Sequence, residues 1–413
     1  MLTKEQKQQF SDILEELGKT LDISETQFDA AVQSYNAVAK QLSKEGSILE
    51  KYKPEIRPQG SFLLGTMIKP INEEDDVDID LVCELQGKND TWTQKTLKDN
   101  VGLQLKENEL YKSKVKLKNG RRCWTLYYRE TSDDPTQRYH LDILPSIIDT
   151  NYIKLFSESY SAIKNIQDLA IRITDNERID YSTEANHQNW LKSNPIGYGK
   201  WFFSRADITK NEIKLLSEAV QTVPKFKKEK LPLQRVVQIL KRHRDMMFNG
   251  DEDKPISIII TTLAARAYNQ ETNVIDALVN VVQRMPDFIV DWYSLEHNKW
   301  IKKVANPVND EENFADKWVD YPQRQKNFEN WLKAVQRDLN NILGQSGKGL
   351  QSINESMAKP FGRDAITKAF SYYGENLREQ REVGGLNVAP KTGMIGTVGT
   401  AVKNHNFYGK EEQ

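Results

Sequence analysis

The chain has 413 residues, which is enough for two or three domains and a sizeable buried core. Its 58 lysine and arginine residues nearly balance its 59 aspartate and glutamate residues, so no overall basic field favours a long nucleic acid as partner. The two cysteines, Cys83 and Cys123, exclude a disulfide framework and a cysteine-based zinc site. We expect a cytoplasmic protein with a small substrate and no membrane-spanning segment.

The first fifty residues predict two helices. Thr3 followed by Gln6, and Ser24 followed by Gln27, each fit the capping box that starts a helix. Apolar residues then recur at helical spacing from Phe28 onward, so the second helix is expected to bury one face.

A turn and an acidic strand follow. Gly60 and Ser61 are predicted to open a short helix. In residues 77–83, Asp78 and Asp80 alternate with apolar residues, and side chains two apart in a strand point to the same face. Both carboxylates therefore project together from a half-buried strand. Asp76 has the same spacing, so a register that pairs Asp76 with Asp78 stays open.

A third acid lies on a second apolar strand. Residues 115–128 predict a β-hairpin around an Asn-Gly turn, and the chain then enters a strand over residues 139–144 that contains Asp142. His140 in this strand is expected to be a core or edge histidine and not a metal ligand. Residues 55–150 therefore predict a mixed β-sheet backed by helices.

The second half of the sequence predicts helices over residues 233–248 and 257–268. Lys241 lies on the flank of the first helix, and Ser257 opens the second. A charged helix end is more often solvated than functional, so these two residues become site candidates only together with the acids. From residue 381 the chain is glycine-rich and is expected to be flexible.

The acids suggest metal-dependent chemistry. Crowded carboxylates raise each other's pKa and destabilise a fold unless a cation lies among them. Gly60 and Ser61 at a helix start are suited to a phosphate group. Two cations held by Asp78 and Asp80, with Asp142 on the second, could polarise a nucleoside triphosphate and activate a hydroxyl. The competing interpretations, an acidic edge strand or a structural calcium loop, explain neither the upstream turn nor the third acid.

These motifs resemble the DNA-polymerase-β-type nucleotidyltransferases and, more narrowly, the CD-NTases of bacterial antiphage CBASS systems. Those enzymes are relatives of cyclic GMP-AMP synthase and oligoadenylate synthase. The resemblance implies an α+β fold, with a polymerase-β-like palm of mixed β-sheet and helices and a helical C-terminal lobe that closes an NTP cleft. It is carried by residues 59–66, 78–85, 140–145, 190–195, 201–202, 232–245 and 255–257.

The resemblance implies a domain order of N-terminal helices and catalytic core over residues 1–210, a helical lobe over 211–380 and a tail over 381–413. It also implies an enzyme that joins NTPs into a cyclic di- or trinucleotide messenger with two Mg²⁺ or Mn²⁺ ions. The implied roles are metal binding by Asp78, Asp80 and Asp142, acceptance of the hydroxyl proton by Asp142, phosphate binding by Gly60 and Ser61, and donor triphosphate binding by Lys241 and Ser257.

Three departures and two alternatives accompany the resemblance. The loop between Ser61 and Asp78 is longer than in the tightest version of the superfamily, which leaves the Asp76 register open. Ser257 is followed by Ile258 and not by an aromatic residue that could stack on a base. The sequence has no set of cysteine and histidine residues that fits a zinc ribbon, so activation by long DNA is not expected. In some CBASS operons a partner protein conjugates the synthase C-terminus, and the cyclic product reaches a downstream effector. The alternatives are a nucleotidyltransferase acting on RNA or protein, such as a tRNA-end-adding, poly(A)-type or adenylylating toxin enzyme, and an inactive nucleotide-binding scaffold.

Overall fold

In a computed structural model, the chain forms two compact units. The sheet unit comprises residues 23–234 and 289–320, and the helical unit comprises residues 1–22, 235–288 and 321–413. Asp76, one of the two register alternatives, lies outside the described residues. The described residues are 2–71, 77–108, 111, 116–128, 138–149, 169–206, 226–295, 297–389, 395–396 and 399–402.

The sheet unit is built on one mixed β-sheet. Its described strands are β1 (Glu55–Pro58), β2 (Val77–Leu85), β3 (Lys116–Asn119), β4 (Trp124–Tyr128), β5 (Tyr139–Ile148), β6 (Ile171–Ile173) and β7 (Leu191–Ser193). They lie in the order β1–β2–β5–β4–β3, while β6 pairs with the second half of β5 and with β7. The pairing of β2 with β5 is parallel, and the other pairings are antiparallel. The predicted mixed sheet is therefore confirmed.

One face of this sheet is covered by helices. The sheet unit contains α2 (Glu25–Leu42), α3 (Gly60–Leu64), α4 (Gln94–Lys106) and α5 (Pro195–Ala206). The apolar residues of β2, including Val77, Ile79 and Leu81, are buried in a core cluster that also contains residues of α2 and α4. Asp78 and Asp80 alternate with them and point away from this core. The hydrophobic alternation thus decides which face of the sheet carries the acids.

Two short hairpins also belong to the sheet unit. They are formed by β8 (Val290–Ser294) with β9 (Lys299–Lys303), and by β10 (Ala305–Asn306) with β11 (Asn309–Asn313). The sequence assigned this region to the helical lobe of residues 211–380. The grouping differs because Phe314, at the end of these hairpins, packs edge-on against Tyr198 of α5.

The helical unit contains α1 (Lys4–Leu21) and α6 (Pro232–Phe248), of which the last fourteen residues lie in this unit. It continues with α7 (Ser257–Ala267), α8 (Val274–Arg284), α9 (Pro322–Leu343), α10 (Leu350–Phe361) and α11 (Arg363–Glu382). Both predicted capping boxes are present, at the starts of α1 and α2. Within the described residues, each helix is too short or too polar to cross a membrane.

The region predicted as a flexible tail is partly ordered. Helix α11 extends to Glu382, and three two-residue strands follow as a small antiparallel sheet. These strands are β12 (Asn387–Val388), β13 (Ile395–Gly396) and β14 (Thr400–Ala401). The prediction for residues 403–413 falls outside the described residues.

Helix α1 joins the helical unit through a buried arginine, although the sequence assigned it to residues 1–210. Arg235 of α6 is fully buried, and its guanidinium donates to Glu15 at 2.9 Å and to Asp22 at 2.8 Å. A Cβ on Gly18 would lie 2.5 Å from Arg235 Cδ, so the glycine gives the arginine room. A buried arginine needs such charged partners. These contacts place α1 in the helical unit, although α1 is close in sequence to the sheet unit.

We predict that Arg235→Met destabilises the helical unit by about 3–5 kcal/mol, because it leaves the carboxylate of Asp22 buried without its cation. Chemical denaturation followed by circular dichroism measures this loss. The control is Arg378→Met, which removes a surface pair with Glu382 at 3.7 Å and is expected to cost less than about 1 kcal/mol. Equal losses in the two variants would contradict the role given to Arg235.

Candidate active site

The parallel pairing of β2 with β5 aligns four polar residues. Asp78 lies opposite His140, and Asp80 lies opposite Asp142. Because side chains alternate along each strand, all four point to the face of the sheet away from the helical core. The structure therefore places the three acids that the sequence singled out on one face of the sheet.

His140 belongs to this group, although the sequence analysis expected a core or edge histidine. Its Nε2 lies 3.3 Å from Asp78 Oδ1. One ligand atom from each of Asp78, His140 and Asp142 can be chosen so that the three lie within 4.8 Å of one another. The alternation in β5, with Leu141 buried between His140 and Asp142, contained this signal, because it places both polar residues on one face.

Asp80 lies on the same face, beside Gly60. The Gln59 N–H donates to the Asp80 carbonyl oxygen at 2.9 Å, which holds the start of α3 against β2. Gly60 has a φ of +57°, and a Cβ on it would overlap Asp80 Oδ2. Glycine is thus required here for its backbone conformation and for the close approach of the Asp80 carboxylate. Ser61 follows within the first turn of α3.

The Asp142 carboxylate is held in a setting that disfavours its charge. Burial raises the pKa of Asp142, and the Asp78 charge raises this pKa further, while a hydrogen bond from Thr125 and the nearby His140 lower it. Thr125 lies opposite Asp142 on β4, and its hydroxyl donates to Asp142 Oδ1 at 2.5 Å. Sequence reasoning missed Thr125, although the predicted hairpin placed it on a strand.

The negative field of the acids extends to a neighbouring thiol. Burial raises the pKa of Cys123, and the charges of Asp142, Asp80 and Asp78 raise it further. Several anions held close together create such a field. The polar face of the sheet is therefore suited to attract positive charge.

Lys241 and Ser257 lie in the helical unit. Lys241 is buried on α6, and Ser257 is the first residue of α7. Arg244, one turn after Lys241, donates to Ser257 Oγ at 2.8 Å and to the Pro255 carbonyl at 3.1 Å. Arg244 was missed as a positioning residue. The signal was the run of charged residues 241–245, of which residues 241–244 are all buried and not solvated.

The donor set of the sheet unit fits a divalent cation. Carboxylate oxygens are the ligands that Mg²⁺ and Mn²⁺ prefer. Asp78 and Asp142 supply two such groups within reach of one ion. Asp80 lies on the same face of β2 but is not part of this cluster.

Comparisons with known proteins agree with this geometry. Residues 54–145 match the sequence family described as "Cyclic GMP-AMP synthase DncV-like, nucleotidyltransferase domain". A c-di-GMP synthase of Roseivirga ehrenbergii is 28% identical over 385 residues, which cover 92% of each chain. The cyclic dinucleotide synthase CdnG of Bradyrhizobium diazoefficiens is 22% identical over 409 residues, covering 93% of this chain and 90% of CdnG.

A solved structure shows the same fold. The structure of the Bradyrhizobium diazoefficiens CD-NTase CdnG in complex with GTP aligns with a TM-score of 0.62 at 20% identity. The alignment covers 89% of this chain and 99% of that structure. The polymerase-β-like α+β fold predicted from the sequence is therefore confirmed.

The fold, the acids on one face of the sheet and the family match together define a nucleotidyltransferase. More specifically, residues 54–145 match the DncV-like nucleotidyltransferase domain, and the predicted resemblance to the CD-NTases is confirmed. An inactive nucleotide-binding scaffold does not explain why Asp78, Asp80 and Asp142 share one face.

We predict that Asp142→Asn stabilises the metal-free protein at pH 7. The pKa of Asp142 is higher in the folded than in the unfolded chain, so the contribution of Asp142 to wild-type stability falls as pH rises from about 3.8 through the folded pKa. Asparagine keeps the shape without the charge, and we expect Tm in EDTA to rise by about 1–4 °C. This advantage should shrink as pH is lowered towards 4.

The same scans with Mn²⁺ provide the control. Wild-type Tm should rise with the ion, because a ligand that binds only the folded state stabilises it, and the variant should respond less. A wild type that is the more stable protein in EDTA at pH 7 would contradict the electrostatic analysis.

Proposed function

We propose that this nucleotidyltransferase joins nucleoside triphosphates into a cyclic di- or trinucleotide second messenger. The observation that carries the proposal is the register of β2 against β5, which aligns Asp80 with Asp142 and Asp78 with His140. It is supported by similarity along nearly the whole chain to proteins named as cyclic dinucleotide synthases. Structural relatives with the same fold were solved with GTP and with ATP, which supports NTPs as substrates.

In this proposal the acids of the sheet unit hold the reacting groups. A divalent cation, Mg²⁺ or Mn²⁺, would neutralise charge on the triphosphate and favour an attacking hydroxylate. Asp78 and Asp80 would hold two such ions, and Asp142 would contact the second. The Asp142 carboxylate would accept the proton of the acceptor hydroxyl, and the hydrogen bond from Thr125 holds that carboxylate in place.

The remaining candidates would bind phosphate. The Gln59 side chain accepts no capping hydrogen bond at the start of α3. The first N–H groups of this helix and the Ser61 hydroxyl are therefore suited to donate hydrogen bonds to phosphate oxygens. In the helical unit, Lys241 would neutralise the donor triphosphate. Ser257 would donate a hydrogen bond to it from an orientation that Arg244 fixes.

The direct test is incubation of the purified chain with labelled ATP, GTP, CTP and UTP and with Mg²⁺ or Mn²⁺. A cyclic product has no terminal phosphate, so it resists phosphatase, and omission of single NTPs identifies its bases. A product found only after addition of tRNA or protein would favour an enzyme that modifies a macromolecule. Absence of product under all these conditions would overturn the proposal.

We predict that Asp78→Asn and Asp80→Asn each lower product formation by about a hundredfold or more, because each removes a ligand for the cations. Thermal unfolding checks that the variants are folded. Asp99→Asn is the matched control, since this carboxylate forms a surface pair with Lys95 on α4. Its activity should equal that of the wild type. Retained activity in both site variants would refute the metal assignment.

The proposed biological role is antiphage defence in a CBASS system, in which the cyclic product activates a downstream effector. An operon partner would act on the C-terminal tail that begins at residue 381. We predict a mass increase of the intact protein in cells that contain the partner, absent in cells that lack it. An unchanged mass in both would count against a conjugated tail.

A further inference from the structure

We propose that His140 is a metal ligand in addition to the three acids, and that it gives the site a preference for Mn²⁺ over Mg²⁺. This inference deepens the proposed function, because it concerns the cation of the same site. It rests on contacts of the sheet unit alone.

The position of His140 is fixed by the sheet. It is the register partner of Asp78 on β2 and of Tyr127 on β4. The Tyr127 ring lies 5.5 Å from the imidazole, at an angle of 36°. The imidazole is therefore held between an aromatic ring on one side and the Asp78 carboxylate on the other, with its side chain only 23% exposed. A side chain held in this way loses little conformational freedom when it binds an ion.

The distances match a coordination sphere. For bonds of about 2.1 Å, adjacent ligands of an octahedral ion lie about 3 Å apart and opposite ligands about 4.2 Å apart. Asp78 Oδ1 and His140 Nε2, at 3.3 Å, have the spacing of adjacent ligands. A ligand atom of Asp142 lies within 4.8 Å of ligand atoms of both residues, so the three side chains can reach one ion.

The donor atoms decide which ion is preferred. Mg²⁺ is a hard ion that keeps oxygen ligands and several waters, whereas an imidazole nitrogen binds transition-metal ions more readily. Mn²⁺ accepts both carboxylate and imidazole ligands in octahedral geometry. Replacement of one oxygen ligand by the His140 nitrogen therefore favours Mn²⁺, while a site made only of carboxylates would discriminate less.

The test is electron paramagnetic resonance of the protein with Mn²⁺ alone, without nucleotides. Electron spin-echo envelope modulation detects a nitrogen bound to Mn²⁺. We expect the nitrogen signal in the wild type and its loss in His140→Gln. The control is His297→Gln. His297 is an exposed histidine of the same unit, and its ring forms a hydrogen bond with the Ser294 hydroxyl. This control should keep the signal.

Affinities give a second, independent measurement. The Mn²⁺ dissociation constant, from the signal of free Mn²⁺, should rise at least about tenfold in His140→Gln, as loss of a ligand or its support does in metal sites. The Mg²⁺ constant, from competition with Mn²⁺, should change less than about threefold. Far-ultraviolet circular dichroism verifies the fold of both variants.

Absence of nitrogen modulation in the wild type, or equal losses of Mn²⁺ and Mg²⁺ affinity in the variant, would overturn the inference. The wild-type spectrum needs no variant, so a folding defect in His140→Gln does not prevent this decision. Because the measurement contains no NTP, its failure is separate from failure to form a cyclic product, which would overturn the proposed function instead.

Discussion

The parallel pairing of β2 with β5 is the constraint on which the site depends. In this register, Asp78 faces His140 and Asp80 faces Asp142, and a shift by one residue would turn each acid into the core. The shift is prevented by the other face, where apolar residues of both strands are buried against helices. The hydrophobic effect on one face thus fixes the geometry of the charges on the opposite face.

The same arrangement carries an electrostatic cost. Anions brought together on a partly buried surface repel one another; burial first, and then the nearby Asp78 charge, raise the pKa of Asp142. The fold offsets this repulsion locally: Thr125 donates to Asp142, and His140 lies beside Asp78. These contacts orient the carboxylates before a cation arrives, so ion binding needs little rearrangement.

The sequence predicted those features that depend on local patterns. Alternation identified β2 and β5, the Asn-Gly turn identified the β3–β4 hairpin, and the capping boxes identified the starts of α1 and α2. Features that depend on long-range contacts were not predicted. Arg235 joins α1 to α6 across more than two hundred residues, and no periodicity reveals such a pair. The bond from Arg244 to Ser257 was missed for the same reason.

For His140, the alternation along β5 and the expectation for a single histidine lead to different predictions. From the sequence, a core or edge role was expected for His140, and that expectation prevailed over the alternation that places His140 on the face of Asp142. Only the pairing of β5 with β2 shows that this face is the acidic one and that Asp78 is the neighbour. The identity of a ligand set is therefore a property of strand register. The family motif contains only the three acids, and the proposed fourth donor, His140, is recognised only from strand pairing. This donor decides how strongly the proposed site distinguishes between cations that all accept carboxylate ligands.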